Sequence, residues 1–237
     1  MSERWSPLQE VELIDHLEAN PKLQYHTIAR LMGRTTDSIR NKAFALRLLD
    51  RNEWVQSERI AFFDIEATDL KANRGKMISY AIKPMGGKVK YEEWTRREAI
   101  NRDLQDKRIM KLLIEDLQEV DLLVTYYGTN FDNKFVRTRA MIWDLPGFPE
   151  FGTIKHFDLF YAVKGNLSLT SKSLANTTRT LGIEGKTPLN IELWNDAQLG
   201  YPDAMEGIKE HNIEDVKILE ELYHKMLPHV KIIRKTM

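Results

Sequence analysis

An apolar run that ends in two acids, RIAFFDIEATDL from Arg59 to Leu70, constrains the fold of this chain more than any other stretch. A run rich in Phe and Ile, bounded by charge, reads as a buried strand. Strand side chains alternate between faces, so Phe62, Asp64 and Glu66 point one way while Ala61, Phe63 and Ile65 point the other. Carboxylates about 4 Å apart repel by roughly 4 kcal/mol at an effective dielectric near 20. Inside a fold such a pair needs a cation, a basic partner or a shared proton. A divalent metal site is the economical answer; a solvated pair at a fraying strand end is the alternative that this stretch alone leaves open.

The 237 residues suffice for one large domain, or for a medium domain with a small appendage, and a hydrophobic content of 42% supports a real core. Lys plus Arg number 35 and Asp plus Glu 35, so no global field draws the chain to nucleic acid and any basic surface is local. The absence of cysteine excludes disulfides and Cys-ligated zinc, leaving oxygen donors for any metal. The first residues lack the apolar segment of a signal peptide, and no later run is long enough to span a membrane. The expectation is a soluble cytoplasmic protein, or one in the host cytoplasm if viral, with no membrane partner.

Residues 1–48 form a unit of their own. Ser6-Pro7 opens a helix with Leu8, Val11, Leu13, Ile14 and Leu17 in helical spacing, and Asn20-Pro21 stops it. A second short helix runs through Ile28, Ala29, Leu31 and Met32 to Gly33, and Thr35 or Thr36 caps a third carrying Ile39, Ala43, Leu46 and Leu48. The first helix is acidic, whereas Arg34, Arg40, Lys42 and Arg47 surround the third. A basic third helix can enter a major groove and contact phosphates through these four side chains. The pattern W-S-x-x-x-E from Trp5, with A-R-L-M-G-R-T and I-R-N-K-A beyond it, resembles Myb/SANT-like helix-turn-helix modules and their phage and bacterial relatives. A small protein-contact domain with a solvated basic helix is the other use of the same pattern.

Residues 49–58 are polar and read as a linker, and a second domain spans 59–237. After the acidic strand, MISYAIKPMGGKVKYEEW reads as two strands around Gly86-Gly87, giving three antiparallel strands. Arg102 to Glu119 reads as an amphipathic helix leading into the apolar strand of Asp121 to Tyr127. Beyond it, Asp132 opens a helix expected to carry Phe135, Val136, Ala140, Met141 and Trp143 inward. The segment Phe157-Asp158-Leu159-Phe160 begins a short strand or helix, Lys172 to Leu181 is a helix closed by Gly182, and Thr187 to Pro202 is a loop with a short helix. The last helix, from about Ala204 to Met226, stacks His211 and Asp215 one turn apart. This order belongs to the α/β class with a mixed sheet flanked by helices.

Four acids thus stand in chain order with a histidine: Asp64 and Glu66, then Asp132, then Asp215 beside His211. Asp64-x-Glu66 with Thr68 and Leu70, Tyr126-x-Gly128-x-x-Phe131-Asp132 with Phe135 and Arg139, and His211-Asn212-x-x-Asp215-Val216 together resemble the three motifs of the DEDD exonucleases. These belong to the ribonuclease H-like superfamily, and the third motif is that of the histidine subclass. The second motif, and Phe157-Asp158-Leu159 between it and the third, make the resemblance nearest to the proofreading domain of family B DNA polymerases and its stand-alone bacterial and phage relatives. The resemblance covers residues 59–226. It implies a 3′-to-5′ exonuclease with two Mg²⁺ or Mn²⁺ ions, acting on nucleic acid, with DNA as the expected substrate.

By that resemblance Asp64 bridges both ions, Glu66 and Asp215 each complete one shell, Asp132 acts through water, and His211 is the general base. Leu70 wedges at the terminal base and Phe131 stacks on it, although a core would use either residue equally well. Two positions depart from the family: Tyr127 stands where Asn is usual, leaving that substrate contact open, and Asp69 where Gly is frequent. A nucleic-acid-binding protein using the nuclease fold as a docking platform, or a structure-specific endonuclease or ribonuclease, are the competing functions.

Overall fold

The computed structural model describes residues 5–19, 25–46, 58–185, 190–231 and 234–237. It divides into two compact units, Met1–Glu58 and Arg59–Met237. The expected helix stop at Asn20-Pro21, residues 49–57 of the expected linker and Arg47 lie outside the described residues.

The first unit holds helices α1 (Pro7–Ala19), α2 (Tyr25–Leu31) and α3 (Thr36–Ala45). Leu13, Ile28, Ala29, Ile39 and Ala43 make its core. Gly33, at φ 62°, takes the left-handed conformation that ends α2, and Thr35 Oγ1 accepts from the Ser38 amide at 3.1 Å to cap α3. Leu8 and Val11, in helical spacing with Leu13, are exposed, so the apolar stripe of α1 is narrower than its spacing suggests.

The second unit is built on a six-stranded mixed sheet of order β3-β2-β1-β4-β5-β6. Its strands are β1 (Ile60–Ala67), β2 (Met77–Pro84), β3 (Lys90–Glu93), β4 (Leu122–Thr125), β5 (Lys155–Asp158) and β6 (Lys235–Thr236). The opening three strands are antiparallel, β4 runs parallel to β1 and β5 parallel to β4, and β6 closes the edge antiparallel to β5. Its helices are α4 (Arg96–Ile100), α5 (Lys107–Leu117), α6 (Asp132–Ile142), α7 (Leu159–Asn166), α8 (Leu174–Thr180), α9 (Ile191–Ala197) and α10 (Pro202–Met226). Among the described residues no helix is long and apolar enough to cross a membrane.

The alternation in β1 divides the core. Phe63 and Ile65 pack with Ile109, Leu113, Phe135 and Val136 from α5 and α6, while Phe62 packs with Val124, Phe157, Leu219 and Tyr223. The first turns of α10 (Met205, Ile208) reach the former cluster and its later turns the latter. Asp64 and Glu66 are the two half-buried positions in an otherwise buried strand, and the register shifts between Glu66 and Ala67, as at a bulge.

Three expectations are corrected. Met141 is exposed, because α6 presents Asn133, Arg139 and Ala140 inward instead. The helix expected from Arg102 begins at Lys107, because Asp106 at its N-cap is wholly buried and committed elsewhere. Its carboxylate accepts from the Met77 amide at 2.9 Å, from Arg139 at 2.6 and 2.8 Å and from Trp143 Nε1 at 2.7 Å. The short α4 before it, closed by a capping box between Thr95 and Glu98, is an addition to the expected order.

Candidate active site

The candidate residues converge where β1 outruns β4. The parallel pairing stops at Phe62 with Val124, and Asp64 and Glu66 extend beyond it, paired on the other side with Ala81 and Ser79 of β2. Across from them α10 brings in His211, whose Nε2 lies 3.6 Å from Glu66 Oε1 and 3.7 Å from Asp215 Oδ2. One turn of helix thus places a histidine and an aspartate against the strand pair. His211 also lines a cleft of ≈ 640 Å³ with Leu193, Lys209, Glu214 and Lys217.

Asp132 enters from the first position of α6. Its Oδ1 accepts from the Ile65 amide at 3.2 Å, which ties it to β1 between Asp64 and Glu66. It is 3% exposed. Burial pushes its carboxyl up to about 7, opposed by the backbone hydrogen bonds and reinforced by the neighbouring Asp158.

Asn212, Asp158 and Gly128, to which the motifs give no role, all shape the candidate site. Asn212 is fully buried; its Nδ2 donates to Asp64 Oδ2 at 2.7 Å and its Oδ1 accepts from Ser79 Oγ at 3.1 Å. It fixes the orientation of the Asp64 carboxylate. Asp158, 6% exposed at the end of β5, accepts from the amides of Tyr127 at 2.8 Å, Thr129 at 2.9 Å and Phe160 at 3.1 Å. It caps α7 and holds the β4–α6 loop together. Gly128 is required by close approach, since a Cβ there would stand 2.2 Å from Thr125 Oγ1. Of these, Asp158 left a sequence signal, an acid directly before a helical run.

The two departures from the family pattern have structural meaning. Asp69 accepts from the Lys71 amide at 2.8 Å and pairs with Arg74 at 3.1 Å, so it closes its own turn. Tyr127 sits at φ 70°, a left-handed conformation that costs an L-residue bearing a Cβ roughly 1–2 kcal/mol. Leu70 is exposed in the loop after β1, while Phe131 is partly buried against Phe135, ring centroids 5.5 Å apart. Arg139, quoted with the second motif, is 2% exposed and bonded to Asp106, hence part of the scaffold.

The N-terminal cations are less available than their charge suggests. Arg40 is 3% exposed, its guanidinium 5.9 Å over the Tyr25 ring and 3.9 Å from Asp37. That burial removes it from the expected phosphate contacts. Lys42 pairs with Glu10 of α1 at 2.6 Å. Arg34 lies 4.2 Å over Trp5 and donates to Gln9 Oε1 at 2.7 Å.

In type, the donors suit a divalent ion: Asp64, Glu66, Asp132 and Asp215 offer hard oxygen, the ligand of Mg²⁺ and Mn²⁺. A carboxyl driven toward neutrality by burial, as at Asp132, is one that a nearby cation would return to its charged form. In arrangement, Glu66 and Asp215 both approach His211, and among the described residues no group of three His, Asp or Glu side chains stands close enough to hold a metal ion.

A mixed sheet of this order, flanked by helices and with acids at the end of its first strand, defines a ribonuclease H-like α/β protein. A family model of the RNase_H superfamily, RNase_H_2, matches residues 61–227, and the chain belongs to that superfamily. Among solved structures it is similar to the family B DNA polymerase from the hyperthermophilic archaeon Pyrobaculum calidifontis, with a TM-score of 0.56 and 18% identity. The match covers 72% of this chain and 25% of the polymerase, so the chain spans a quarter of that protein's length and the likeness is one of fold. No curated protein matches the sequence.

Proposed function

We propose that this protein is a divalent-metal-dependent 3′-to-5′ exonuclease hydrolysing nucleic acid phosphodiesters, with DNA as its substrate. The observation that carries the proposal is the meeting of His211 Nε2 with Glu66 and Asp215 at 3.6 and 3.7 Å, beside an Asp132 bonded to the same strand. Two Mg²⁺ or Mn²⁺ ions held by Asp64, Glu66, Asp132 and Asp215 would supply the positive charge that offsets charge building on the attacking and leaving oxygens. His211 takes the proton of the attacking water, a task to which an imidazole nitrogen with a lone pair is suited. Glu66 and Asp215 lie within 4 Å of the ring nitrogen that receives it. Asn212 keeps Asp64 in place. Leu70 and Phe131 contact the terminal base, and the 3′-to-5′ direction rests on the three-motif resemblance.

The N-terminal unit is proposed to hold duplex DNA through Arg34 and Lys42. The test of the enzyme is digestion of DNA and RNA oligonucleotides labelled at either end, with Mg²⁺, Mn²⁺ or EDTA. Stepwise shortening from the 3′ end is expected, lost in EDTA and in Asp64→Ala and Asp215→Ala. Intact oligonucleotides with both metals, or wild-type rates in either variant, would reject the assignment.

A further inference from the structure

The polar face of the sheet does not end at β2. In the register of the three antiparallel strands Glu66 stands opposite Ser79 and Ser79 opposite Glu93, while Asp64 stands opposite Ala81 and Ala81 opposite Tyr91. Residues directly opposite share a face, so Tyr91 and Glu93 of β3 lie on the same side of the sheet as the two acids of β1. Val216 and Leu219 of α10 pack over this side, with Ala81 and the Tyr91 ring beneath them. Hydrogen bonds run along it from Asp64 outward. Asn212 Nδ2 donates to Asp64 at 2.7 Å, and Ser79 Oγ donates to Asn212 Oδ1 at 3.1 Å. At the far end Tyr91 Oη donates to Glu93 Oε2 at 2.7 Å. Because Glu93 lies opposite Ser79, that bond carries the Tyr91 ring along the diagonal toward Ser79, and the two hydroxyls meet.

Proton counting gives this row its behaviour. From Glu93 through Tyr91 and Ser79 to the Asn212 carbonyl oxygen there are three links, and each needs a proton. The two hydroxyls supply two. With Glu93 ionised, Tyr91 spends its proton on the carboxylate, and its oxygen competes with Asn212 for the proton of Ser79. With Glu93 neutral, the carboxyl proton goes to Tyr91, that of Tyr91 to Ser79, and that of Ser79 wholly to Asn212. Successive bonds of such a chain polarise one another, so the Asn212 amide then holds Asp64 more tightly.

The surroundings suit this allocation. Ser79 and Asn212 have no solvent exposure, so water does not supply the missing proton. Burial, then Glu93 and Glu66, push the Tyr91 hydroxyl up, and it keeps its proton. Burial also pushes the Glu93 carboxyl above its ordinary range, with Glu206 adding to this and Tyr91, Lys209 and Arg108 opposing it. Lys209 faces it from α10 but pairs with Glu206 at 2.9 Å, and Arg108 faces it from α5 but pairs with Glu98 at 2.8 Å and Glu92 at 3.1 Å. Arg108 reaches only the carbonyl of Glu93, at 2.6 Å. Neither cation is bonded to the carboxylate.

We infer that Tyr91 and Glu93 are positioning residues for Asp64, acting through Ser79 and Asn212, and that proton uptake by Glu93 tightens the hold on that carboxylate. What Asp64 is held in place to do rests on the nuclease reading, but the hold itself can be read without turnover.

The experiment follows the side-chain amide of Asn212 by nuclear magnetic resonance in the ¹⁵N-labelled full chain in EDTA, as the pH is changed. In wild type the amide protons should move downfield as the pH falls through the titration of Glu93, above the ordinary carboxylate range. Asp132 is pushed up as well, so the variants isolate the step owed to Glu93. Tyr91→Phe keeps the ring and leaves Asn212 as the single acceptor for Ser79. It should lose the step and keep the amide at its low-pH position throughout. Ser79→Ala lacks the donor, so it should also lose the step but leave the amide upfield. Glu93→Met should lose the step in a protein that retains both hydroxyls. A wild type without the step, a step that survives in Tyr91→Phe and Glu93→Met, or a Tyr91→Phe amide held at the high-pH position would each overturn the inference and leave the nuclease reading untouched. If the amide behaves as expected but no oligonucleotide is cleaved with Mg²⁺ or Mn²⁺, the hold on Asp64 stands and the nuclease reading falls.

Discussion

Replacing Asn212 tests how the site is held together. Its amide, without solvent exposure, links Asp64 to Ser79. Truncation by Asn212→Ala removes one charge-assisted and one neutral hydrogen bond, together worth about 2–4 kcal/mol. Asn212→Asp keeps the volume but replaces the donor with a second carboxylate against Asp64. At a separation near 4 Å and an effective dielectric near 20, that adds roughly 4 kcal/mol of repulsion when both are charged. The order of stability at pH 7 in EDTA should be wild type, then Asn212→Ala, then Asn212→Asp, measured by urea denaturation with far-ultraviolet circular dichroism. The introduced acid has a folded pKa raised above its unfolded value of about 3.9, so its penalty is absent below that pH and grows as the pH rises. The deficit of Asn212→Asp should therefore shrink toward pH 4 and also shrink when Mn²⁺ is added. Equal stability of the two variants at pH 7, or an Asn212→Ala protein as stable as wild type, would refute the role given to Asn212.

Four other outcomes are expected. His211→Ala should slow hydrolysis by about 10²- to 10⁴-fold while Mn²⁺ still binds, as followed by electron paramagnetic resonance; lost Mn²⁺ binding would make it a ligand. Arg139→Met should cost about 3–5 kcal/mol in urea unfolding, because it leaves the wholly buried Asp106 without its bidentate partner. His156 is lowered to about 4, chiefly by burial, with Lys235 assisting and Asp158 opposing. Neutral in the fold and protonated below about 6.5 when unfolded, it withdraws up to about 3 kcal/mol as pH falls from 6.5 to 4, a slope that His156→Gln should remove from the pH profile of unfolding. In the N-terminal unit, Lys42→Gln and Arg34→Gln should each make the log affinity against log salt slope for duplex DNA shallower by about 0.9. Arg40→Gln should instead lower the unit's stability, and unchanged slopes in the first two variants would favour a protein contact.

What could be read beforehand was whatever lay in one segment. The alternation of Phe62, Phe63, Asp64 and Ile65 told which faces they occupy, because a strand's period is local, and the two core clusters follow it. His211 and Asp215 were legible as neighbours because a helix turn is local too. Asn212 was quoted in a motif but carried no role, because its partners lie 133 and 148 residues away in the chain. Arg40 looked like a surface cation because charge in a sequence carries no burial label; it is the fold that sets it over Tyr25. The late start of α5 has the same origin: an Asp that would ordinarily cap a helix is claimed by Arg139, Trp143 and Met77. The two-residue β6 is too short to announce itself by any period.

The proposed chemistry resides in four acids and a histidine, but other buried polar groups decide where those five stand. Asp106 ties the start of β2 to α6 through Met77 and Arg139, and α6 begins at Asp132. Asp158 ties β5 to the loop that leads into Asp132. Asn212 ties α10, which carries His211 and Asp215, to both β1 and β2. Each anchor is satisfied by hydrogen bonds within the protein, and the acids of the site bring like charges together, an arrangement that a cation would offset. Removing Glu66 or Asp215 therefore relieves repulsion, whereas removing an anchor strands a buried partner, as does removing Asp64 or Asp132, which accept from the Asn212 side chain and the Ile65 amide. Lost hydrolysis with an intact or firmer fold marks a residue of the chemistry alone, and lost hydrolysis together with lost stability marks one that also holds the frame.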